Sequence, residues 1–446
     1  MSPSLREQDL RHHLHPYTDP ATLGEAGTHV ITSGDGVWVT DDHGRRLLDG
    51  LAGLWCVNVG YGCDRIVRAA AEQMKRLAFY PSFFNSTTEP TIRLAERLAR
   101  LAPAGLRTAA FSGSGSEANE TALKILRRFH RLRGRPGRTK VVTRELSYHG
   151  VTLATTSMTG LASCHEPFGL PLPGFLHAPA PWPYGAGSDE PPEAFGRRCV
   201  DETRQLLLRE GPETIAAIVV EPLQGAGGVI VPPPGYLADL RSLAREQDIP
   251  FVADEVITGF GRLGEWFASS LYGLEPDVIT VAKGITSGYV PLGATLVRDE
   301  IADTLREGGT FSHGHTYSGH PVAAAAALAN LDEIEERGLL AHVRDVVGPR
   351  LEAGLQALGE HPAVAEVRAL RAIGALELRR RAGEPPTDLA RRSARAGTLI
   401  REEGAIVRSM RGAIAVSPPL VIAPAEIELL LGAIRRGLDR LLAEAP

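Results

Sequence analysis

The sequence predicts an α/β fold in which helices cover a mostly parallel sheet, together with a smaller α+β unit. In the middle of the chain, short β-branched runs alternate with helix-like stretches, which is the pattern of parallel strands joined by helical crossovers. Polar residues directly follow several of these runs, and sheets of this kind bind ligands at the carboxyl ends of their strands. After about Gly338 the pattern changes to longer amphipathic helices and shorter strands.

The larger unit holds a series of predicted strands and helices. The strands are Thr108–Phe111, Lys140–Thr143, Ala216–Val220, Phe251–Ala253, Val278–Ala282 and Gly293–Val297, and the helices are Glu117–Arg131, Gly235–Gln247 and Pro321–Glu336. Between them, the segment Leu161–Pro192 holds eight prolines and is predicted to be a long irregular loop.

The smaller unit is predicted to draw on both ends of the chain. Its elements are the strands Pro362–Leu370, Ala372–Leu378 and Ala413–Ser417 and the helices Thr387–Glu403 and Pro424–Ala443. Near the N-terminus, Val37–Thr40 and Arg46–Asp49 form a predicted hairpin around the turn at Asp42. We therefore expect the small domain at 1–60 and 338–446 and the large domain at 61–337.

Composition excludes several classes of function. The 446 residues are 43% hydrophobic and 23% charged, and the net charge of −5 comes without a basic face or tail, so nucleic acid is not an expected partner. The chain lacks an apolar run of the roughly 18 residues that cross a bilayer, and it does not begin with a signal-peptide pattern. The four cysteines lack metal-ligand spacing. We expect a cytoplasmic protein with reduced thiols and no membrane partner.

Lys283 is the most informative residue of the chain. Only four of the 48 basic residues are lysines, and this one directly follows the strand-like run Asp277–Ala282. A buried lysine loses its proton near neutral pH and forms Schiff bases, which arginine cannot do. A position that keeps lysine where the chain otherwise uses arginine therefore indicates a need for an amine. The alternative is a lysine left by chance at a strand end.

The segment Ser112–Ser116 is rich in glycine and serine and leads into a predicted helix. Small residues let backbone N–H groups approach an anion, and the helix N-terminus adds partial positive charge. The segment suits a phosphate, while a flexible loop with a helix cap is the alternative. It lacks the Gly-Lys-Ser/Thr of a P-loop and the spacing of a dinucleotide fingerprint.

Further chemistry-bearing residues follow other strand-like runs. Asp254 ends one run and is placed to hold a protonated ring nitrogen, and Glu221 closes another in a similar way. Tyr148 offers an aromatic face on which a flat cofactor can stack. The alternatives are solvated acids at strand ends and an aromatic residue in an ordinary turn.

A phosphate cup, a stacking aromatic, a strand-end acid and a strand-end lysine thus occur in this order along the chain. These are the contacts that pyridoxal 5'-phosphate needs for its phosphate, its ring face, its pyridine nitrogen and its aldehyde carbon. The sequence therefore predicts this cofactor. A metal is not expected, because His313, His315 and His320 have no nearby acids or cysteines to complete a ligand set.

The chain resembles the class III (omega) aminotransferases over nearly its whole length, and most closely the pyruvate-dependent omega-aminotransferases. The motifs that carry the resemblance are Ser114–Asn119, Tyr148–Gly150, Asp254–Val256 with Gly259–Arg262, Ala282–Gly284 and His315–Pro321. The resemblance implies fold type I of the pyridoxal-phosphate enzymes, with a mostly parallel seven-stranded sheet in the large domain.

The resemblance also implies roles for the matching residues. Lys283 would be the Schiff-base lysine, Asp254 would pair with the pyridine nitrogen and Tyr148 would stack on the ring, and these form the catalytic set. The residues that would contact the cofactor are Ser114, Gly115, Ser116, Tyr148, His149, Glu221, Asp254, Val256, Lys283 and Thr316. Thr316 would reach the phosphate of the other subunit, since the family's sites lie at a homodimer interface.

The implied reaction moves an amino group from an amine or omega-amino acid to a keto acid, expected to be pyruvate. The amine would displace Lys283 from the internal aldimine, and the freed Lys283 would carry a proton between the substrate carbon and the cofactor. The keto acid would then run these steps in reverse, which completes a ping-pong cycle.

The segment Gly53–Asn58 resembles the one that places a tryptophan beside the substrate in this family. The residues that would line the substrate pocket are Tyr17, Leu54, Trp55, Phe83, Phe84, Ala226 and Arg408, with Phe83 and Phe84 reaching across the dimer. Arg408 is assigned, by its spacing to Pro418 and Pro419, as the mobile arginine that pairs with the acceptor's carboxylate. Arg411 is the alternative, and for each aromatic residue simple core packing is the alternative.

Other reactions stay open at this point. A 2-oxoglutarate-dependent aminotransferase, a decarboxylase or an aminomutase of the same class would share the cofactor site. A non-catalytic relative should have lost Lys283 or Asp254, and both are present.

Overall fold

The computed structural model describes residues 4–444, which form three sheets and their covering helices. The strands are β1 (Ile31–Asp35), β2 (Trp38–Asp41), β3 (Arg46–Asp49), β4 (Leu106–Ser112), β5 (Lys140–Arg144), β6 (Phe175–Ala178), β7 (Ile215–Val220), β8 (Phe251–Asp254), β9 (Val278–Val281), β10 (Gly293–Arg298), β11 (Val364–Leu370), β12 (Ile373–Leu378), β13 (Ala405–Ile406), β14 (Arg408–Met410) and β15 (Ala413–Val416).

The helices cover the sheets and connect their strands. They are α1 (Leu5–His12), α2 (Pro20–Ala26), α3 (Ala52–Trp55), α4 (Asp64–Arg76), α5 (Glu89–Leu101), α6 (Gly115–Leu132), α7 (Leu153–Met158), α8 (Ala162–His165), α9 (Pro192–Glu210), α10 (Tyr236–Glu246), α11 (Ala268–Leu271), α12 (Asp299–Glu307), α13 (Pro321–Glu336), α14 (Leu339–His342), α15 (Gly348–Leu358), α16 (Pro386–Glu402) and α17 (Pro424–Ala443). Within residues 4–444, none of the helices combines the length and apolar character of a membrane span.

The central sheet has seven strands in the order β4-β10-β9-β8-β7-β5-β6. Strand β10 runs antiparallel to both of its neighbours, and every other pair in the sheet is parallel. Strands β7, β8 and β9 are buried along their whole length, which explains why they read as continuous apolar runs in the sequence. The prediction of a mostly parallel seven-stranded α/β fold is confirmed.

The prediction for the segment Leu161–Pro192 is wrong. This segment contributes α8 and the edge strand β6, which pairs in parallel with β5. The prolines flank β6 and leave Phe175–Ala178 free of them, so the strand can complete its backbone hydrogen bonds at the edge of the sheet.

One of the two smaller sheets combines strands from both ends of the chain, and the other, in the order β11-β12-β15-β14, comes from the C-terminal region alone. Strands β1, β2 and β3 form a meander that confirms the predicted N-terminal hairpin, and β13 from the C-terminal region pairs in parallel with β3. Val37 and Leu48 pack into one hydrophobic cluster with residues of α15, α16 and α17. The ends of the chain therefore share one hydrophobic core.

The elements place one group of residues at the carboxyl ends of the central strands. Strand β4 leads into the N-terminus of α6, β8 ends at Asp254, and β9 is followed by a tight turn over Lys283–Ile285. Helix α6 packs against β4, β7, β9 and β10, so its N-terminus is held over this edge of the sheet. This edge is where a doubly wound sheet binds its ligands.

Candidate active site

The N-terminus of α6 forms a narrow backbone cup. Ser114 is the N-cap residue, and its hydroxyl accepts a hydrogen bond from the backbone N–H of Glu117 at 3.2 Å. A Cβ atom added at Gly115 would lie 3.0 Å from a methyl of Val256, so only glycine fits here without displacing that side chain. The Ser116 hydroxyl accepts a hydrogen bond from the backbone N–H of Val151 at 3.1 Å. The cup offers the N–H groups and helix-end charge that an anion requires.

Asp254 lies at the end of β8 and is 3% exposed. One carboxylate oxygen accepts hydrogen bonds from the Asn119 amide and from Nδ1 of His149, both at 2.7 Å. The other accepts from the backbone N–H of Val256 at 3.1 Å. The carboxylate is thus fixed by three donors on three different segments of the chain.

Asn119 has a position in this group that sequence reasoning did not assign. It lies one helical turn into α6, its amide also donates to the carbonyl of His149 at 2.9 Å, and its oxygen accepts from the Thr280 hydroxyl at 2.8 Å. The signal in the sequence was a polar residue on the face of α6 that packs against the buried sheet. A buried amide of this kind needs partners, and it finds them in Asp254 and Thr280.

Glu221, at the end of β7, makes its hydrogen bonds to the backbone. Its carboxylate accepts from the N–H of Tyr148 at 3.0 Å and from the N–H of Gly225 at 2.9 Å. Full burial raises the pKa of the Glu221 carboxyl, while nearby His149 opposes that rise. Glu221 therefore holds two segments of the site in place, the one that carries Tyr148 and the one that leads to Ala226.

Lys283 follows β9 and adopts a left-handed backbone conformation with φ of 45°. Such a φ strains a residue that carries a Cβ, and strain of this kind persists where the surrounding structure enforces it. Burial lowers the pKa of the Lys283 amine, and the positive charge of Arg408 acts in the same direction. Cys56, Asp254 and Glu221 oppose this effect. The amine is thus biased toward its neutral, nucleophilic form.

Trp55 and Arg408 meet on the side of the site that the small sheets provide. Trp55 is 2% exposed, and the guanidinium carbon of Arg408 lies 4.6 Å from the centre of its ring. Burial lowers the pKa of Arg408, and within residues 4–444 no carboxylate forms an ion pair with it. Arg411 lies one residue beyond β14 and donates to the carbonyl of Gly227 at 2.6 Å.

Tyr17 and Tyr148 touch through their hydroxyl groups, with 3.4 Å between the two oxygens. Tyr17 is 75% exposed, so it lies at the solvent side of this contact. Leu54, next to Trp55, is also exposed, whereas Ala226 packs against the cluster that contains Trp55. Tyr17 thus contacts Tyr148 directly, while Leu54 and Ala226 lie next to Trp55 in the chain and in the core, respectively.

Three predicted site residues lie away from Lys283 within one chain: Phe83, Phe84 and Thr316. The two phenylalanines line a cavity of about 880 Å³ together with residues 310–314 and 318–319, and neither Lys283 nor Asp254 lines it. The Phe83 ring covers Gly314, where an added Cβ would lie 3.0 Å from the ring. Thr316 is exposed in the loop before α13. Within one chain, these residues are not gathered around Lys283.

The sequence profile of the family Aminotransferase class-III matches residues 23–438. The chain belongs to the class III aminotransferases. This aminotransferase is 44% identical over 438 residues to a putrescine–pyruvate aminotransferase of Pseudomonas aeruginosa, a match that covers 97% of the chain and 95% of that relative. It also shares 39% identity over 441 residues with a mitochondrial gamma-aminobutyrate transaminase of Oryza sativa, covering 96% of the chain and 85% of the relative.

Solved structures of omega-transaminases have the same fold as this aminotransferase. An (S)-enantioselective omega-transaminase from Thermomicrobium roseum superimposes with a TM-score of 0.95 at 44% identity, over 98% of both chains. The omega-transaminase of Pseudomonas jessenii in complex with PMP gives a TM-score of 0.95 at 40% identity, over 99% of both chains. The predicted family and the type I fold are confirmed.

The aminotransferase uses pyridoxal 5'-phosphate, the cofactor of its family. The side chains around Lys283 fit this group. A side chain at Gly115 would crowd Val256, so glycine leaves the backbone of this cup open to a phosphate. Asp254 presents a buried carboxylate two residues before Val256, and burial lowers the pKa of the Lys283 amine. An anion site, a carboxylate and an amine that gives up its proton more readily than usual are the complement of the cofactor's phosphate, protonated pyridine nitrogen and aldehyde.

Proposed function

We propose that this aminotransferase moves an amino group from an amine or omega-amino acid to pyruvate. The observation that carries the proposal is the Arg408 guanidinium over the Trp55 ring, which places beside Lys283 a cation that pairs with no carboxylate of residues 4–444. A keto acid brings the carboxylate that this cation lacks. The putrescine–pyruvate aminotransferase among the relatives supports pyruvate as the acceptor.

The chain's own residues bind the cofactor and move the proton. When bound, pyridoxal 5'-phosphate supplies an electron sink that lets the substrate carbon release its proton. Ser114, Gly115 and Ser116 would hold the phosphate at the N-terminus of α6, and Asp254 would keep a proton on the pyridine nitrogen. Lys283 Nζ, whose pKa is lowered by burial, would take the proton from the substrate carbon and deliver it to C4′ of the cofactor.

The remaining cofactor residues orient the group. Tyr148 and Val256 would cover the two faces of the ring, with the Tyr148 backbone fixed by Glu221. His149 acts through Asp254, since its Nδ1 lies 2.7 Å from the carboxylate. We therefore assign Glu221 and His149 as positioning residues rather than direct ligands of the cofactor.

The substrate pocket would lie between Tyr17, Trp55 and Arg408. Arg408 pairs with the acceptor's carboxylate and stacks on Trp55 when an amine without a carboxylate is bound. Arg411 is held by the Gly227 carbonyl, which supports Arg408 as the carboxylate-binding residue. Leu54 and Ala226 would bound the space left for the body of the amine.

We also propose that the enzyme is a homodimer in which Phe83, Phe84 and Thr316 complete the partner's site. Phe84 is 93% exposed and lines one cavity with Phe83, and Tyr80 and Tyr317, near these residues in sequence or in the loop before α13, are also exposed, which suits a face that a second copy covers. Replacing Phe84 with Asp should weaken the dimer roughly 30-fold or more, as for a central apolar contact. Sedimentation at several protein concentrations checks this, and an unchanged dissociation constant would contradict it.

The domain division at 1–60, 61–337 and 338–446 and the cytoplasmic location belong to the same proposal. Pairing of β3 with β13 and the shared cluster of Val37 with the C-terminal helices support a small domain made from both chain ends. The four cysteines carry free thiols, which supports a reducing compartment.

A two-stage experiment tests the acceptor. The purified enzyme is mixed with single amines, including putrescine and beta-alanine, until its visible absorbance is lost, and the free amine is then removed. Pyruvate or 2-oxoglutarate is added separately. Recovery of the absorbance with pyruvate supports the proposal, and recovery with 2-oxoglutarate alone would refute it. Carbon dioxide release would indicate a decarboxylase, and turnover without any keto acid would indicate an aminomutase.

A further inference from the structure

A carboxylate and two imidazoles converge at the end of α1, away from the cofactor site. Nδ1 of His13 lies 3.0 Å from one oxygen of Asp9, and Nε2 of His15 lies 2.8 Å from the other. All three ligand atoms lie within 4.8 Å of one another, and the two imidazole centres are 4.3 Å apart. Three possible metal ligands, one from each side chain, therefore lie close enough together to bind one ion.

A further residue orients this carboxylate. The Thr28 hydroxyl, from the segment before β1, donates to Asp9 Oδ2 at 2.5 Å. The carboxylate is thus held in one orientation, as the carboxylates of metal centres are held by their outer hydrogen-bond partners.

We propose that Asp9, His13 and His15 bind a divalent transition-metal ion, with Zn²⁺ as the best match. Two imidazole nitrogens and one carboxylate oxygen suit Zn²⁺ and its borderline neighbours, whereas Mg²⁺ and Ca²⁺ prefer oxygen alone. The His13 side chain is 60% exposed, which leaves room for water as a fourth ligand. The sequence did not reveal this set, because neither the spacing of the histidines nor that of Asp9 matches a known metal motif.

The metal would fix the turn of chain at residues 9–15, which leads into the mouth of the active site. His15 lies two residues before Tyr17, whose hydroxyl is 3.4 Å from that of Tyr148. An ion bridging Asp9 in α1 to His13 and His15 fixes the chain that enters this contact. The same side chains without a metal form a hydrogen-bonded cluster, in which each imidazole donates an N–H to Asp9.

Zinc titration of the holoenzyme distinguishes the two states of this cluster. After treatment with a chelator, wild-type protein and the variants His13→Ala, His15→Ala and His12→Ala are titrated with ZnCl₂ by calorimetry at about pH 8, where imidazole is unprotonated. We expect wild type and His12→Ala to bind one equivalent that the other two variants lose. Thr28→Val should keep the site but weaken it roughly 10- to 100-fold, as expected for an outer partner of a ligand.

These experiments measure zinc binding without turnover. A negative result would therefore exclude the metal site without bearing on the proposed aminotransferase reaction. Equal Zn²⁺ binding in wild type, His13→Ala and His15→Ala would overturn the site, as would the absence of binding to wild type. Copper offers a second readout, since Cu²⁺ bound to wild type should show nitrogen couplings in its electron paramagnetic resonance spectrum that His13→Ala reduces. Zn²⁺ should also slow amide hydrogen exchange across residues 13–18 in wild type, and unchanged exchange would show that the metal does not fix this part of the chain.

Discussion

The guanidinium of Arg408 lies over the indole ring of Trp55, with 4.6 Å between its central carbon and the ring centre. This contact stabilises the guanidinium of Arg408 when no carboxylate is bound, because an aromatic face attracts a cation. Replacing Arg408 with Ala should lower kcat/KM for pyruvate roughly 10- to 150-fold, the value of a lost hydrogen bond to a charged group. The half-reaction with an amine that lacks a carboxylate should change little. Stopped-flow measurement of the separate half-reactions checks both expectations.

Arg411→Ala is the matched control for Arg408. It removes an arginine of the same segment that donates to the Gly227 carbonyl rather than stacking on Trp55. We expect it to leave the pyruvate half-reaction within a few-fold of wild type. Loss of pyruvate turnover in Arg411→Ala, with Arg408→Ala still active, would exchange the two assignments.

A side chain at Gly115 is predicted to crowd Val256 and weaken cofactor binding. The methyl of Gly115→Ala would meet Val256 at 3.0 Å, and overpacking of this kind costs about 1–3 kcal/mol, so cofactor affinity should fall roughly 5- to 100-fold. Titration of cofactor-free protein with pyridoxal 5'-phosphate measures this loss. Gly137→Ala, where an added Cβ meets nothing within 4 Å, should bind normally. Adding Val256→Ala to Gly115→Ala should restore part of the affinity, and failure of this rescue would exclude the clash as the cause.

Asn119 should matter for both stability and turnover. Asn119→Ala removes a donor from Asp254 and leaves the Thr280 hydroxyl without its acceptor, which should cost about 1–3 kcal/mol of the free energy of unfolding. If the substitution raises the activation free energy by ~1.4 kcal/mol, kcat should fall about tenfold. Thr203→Ala, a buried polar truncation in α9, should leave kcat unchanged. Normal kcat in Asn119→Ala would show that the Asp254 carboxylate does not depend on it.

Lys283 should make the stability of the cofactor-free enzyme depend on pH. Its pKa is lowered on folding from the usual 10.5, so between the lowered value and 10.5 the unfolded chain binds the proton that the folded chain has released. The free energy of unfolding therefore rises with pH across this window and loses this contribution as pH falls. Denaturant unfolding of cofactor-free wild type and Lys283→Met at several pH values measures the difference. Parallel pH profiles for the two proteins would contradict the shift.

Much of the fold could be predicted from the sequence because the strands of the central sheet are buried on both faces. Strands β7, β8 and β9 are continuous apolar runs, and α13 begins and ends at the predicted residues Pro321 and Glu336. The edge strand β6 escaped prediction because it is short and set among prolines, and its identity depends on pairing with β5. The sequence of a short segment does not reveal which other strand it pairs with.

In the candidate site, too, local sequence patterns revealed some residues, and contacts between distant segments determine the others. Lys283, Asp254 and the glycine cup could be found because each lies at the end of a predicted strand or just after it. The part played by Asn119 depends on contacts between α6, β8 and β9, and that of Glu221 on its contacts with Tyr148 and Gly225. The cluster of Asp9, His13, His15 and Thr28 likewise forms only when the N-terminal arm folds back on itself.

The most direct test of the account locates the lysine that carries the cofactor. Borohydride treatment of the purified yellow enzyme fixes pyridoxal 5'-phosphate on the lysine to which it is bonded, and digestion followed by mass spectrometry identifies that residue. The chain offers only Lys75, Lys124, Lys140 and Lys283, so the assignment is unambiguous. We expect the cofactor's mass on Lys283 alone, together with loss of both the label and turnover in Lys283→Ala. Label on any of the other three lysines, or turnover that survives in Lys283→Ala, would contradict the account.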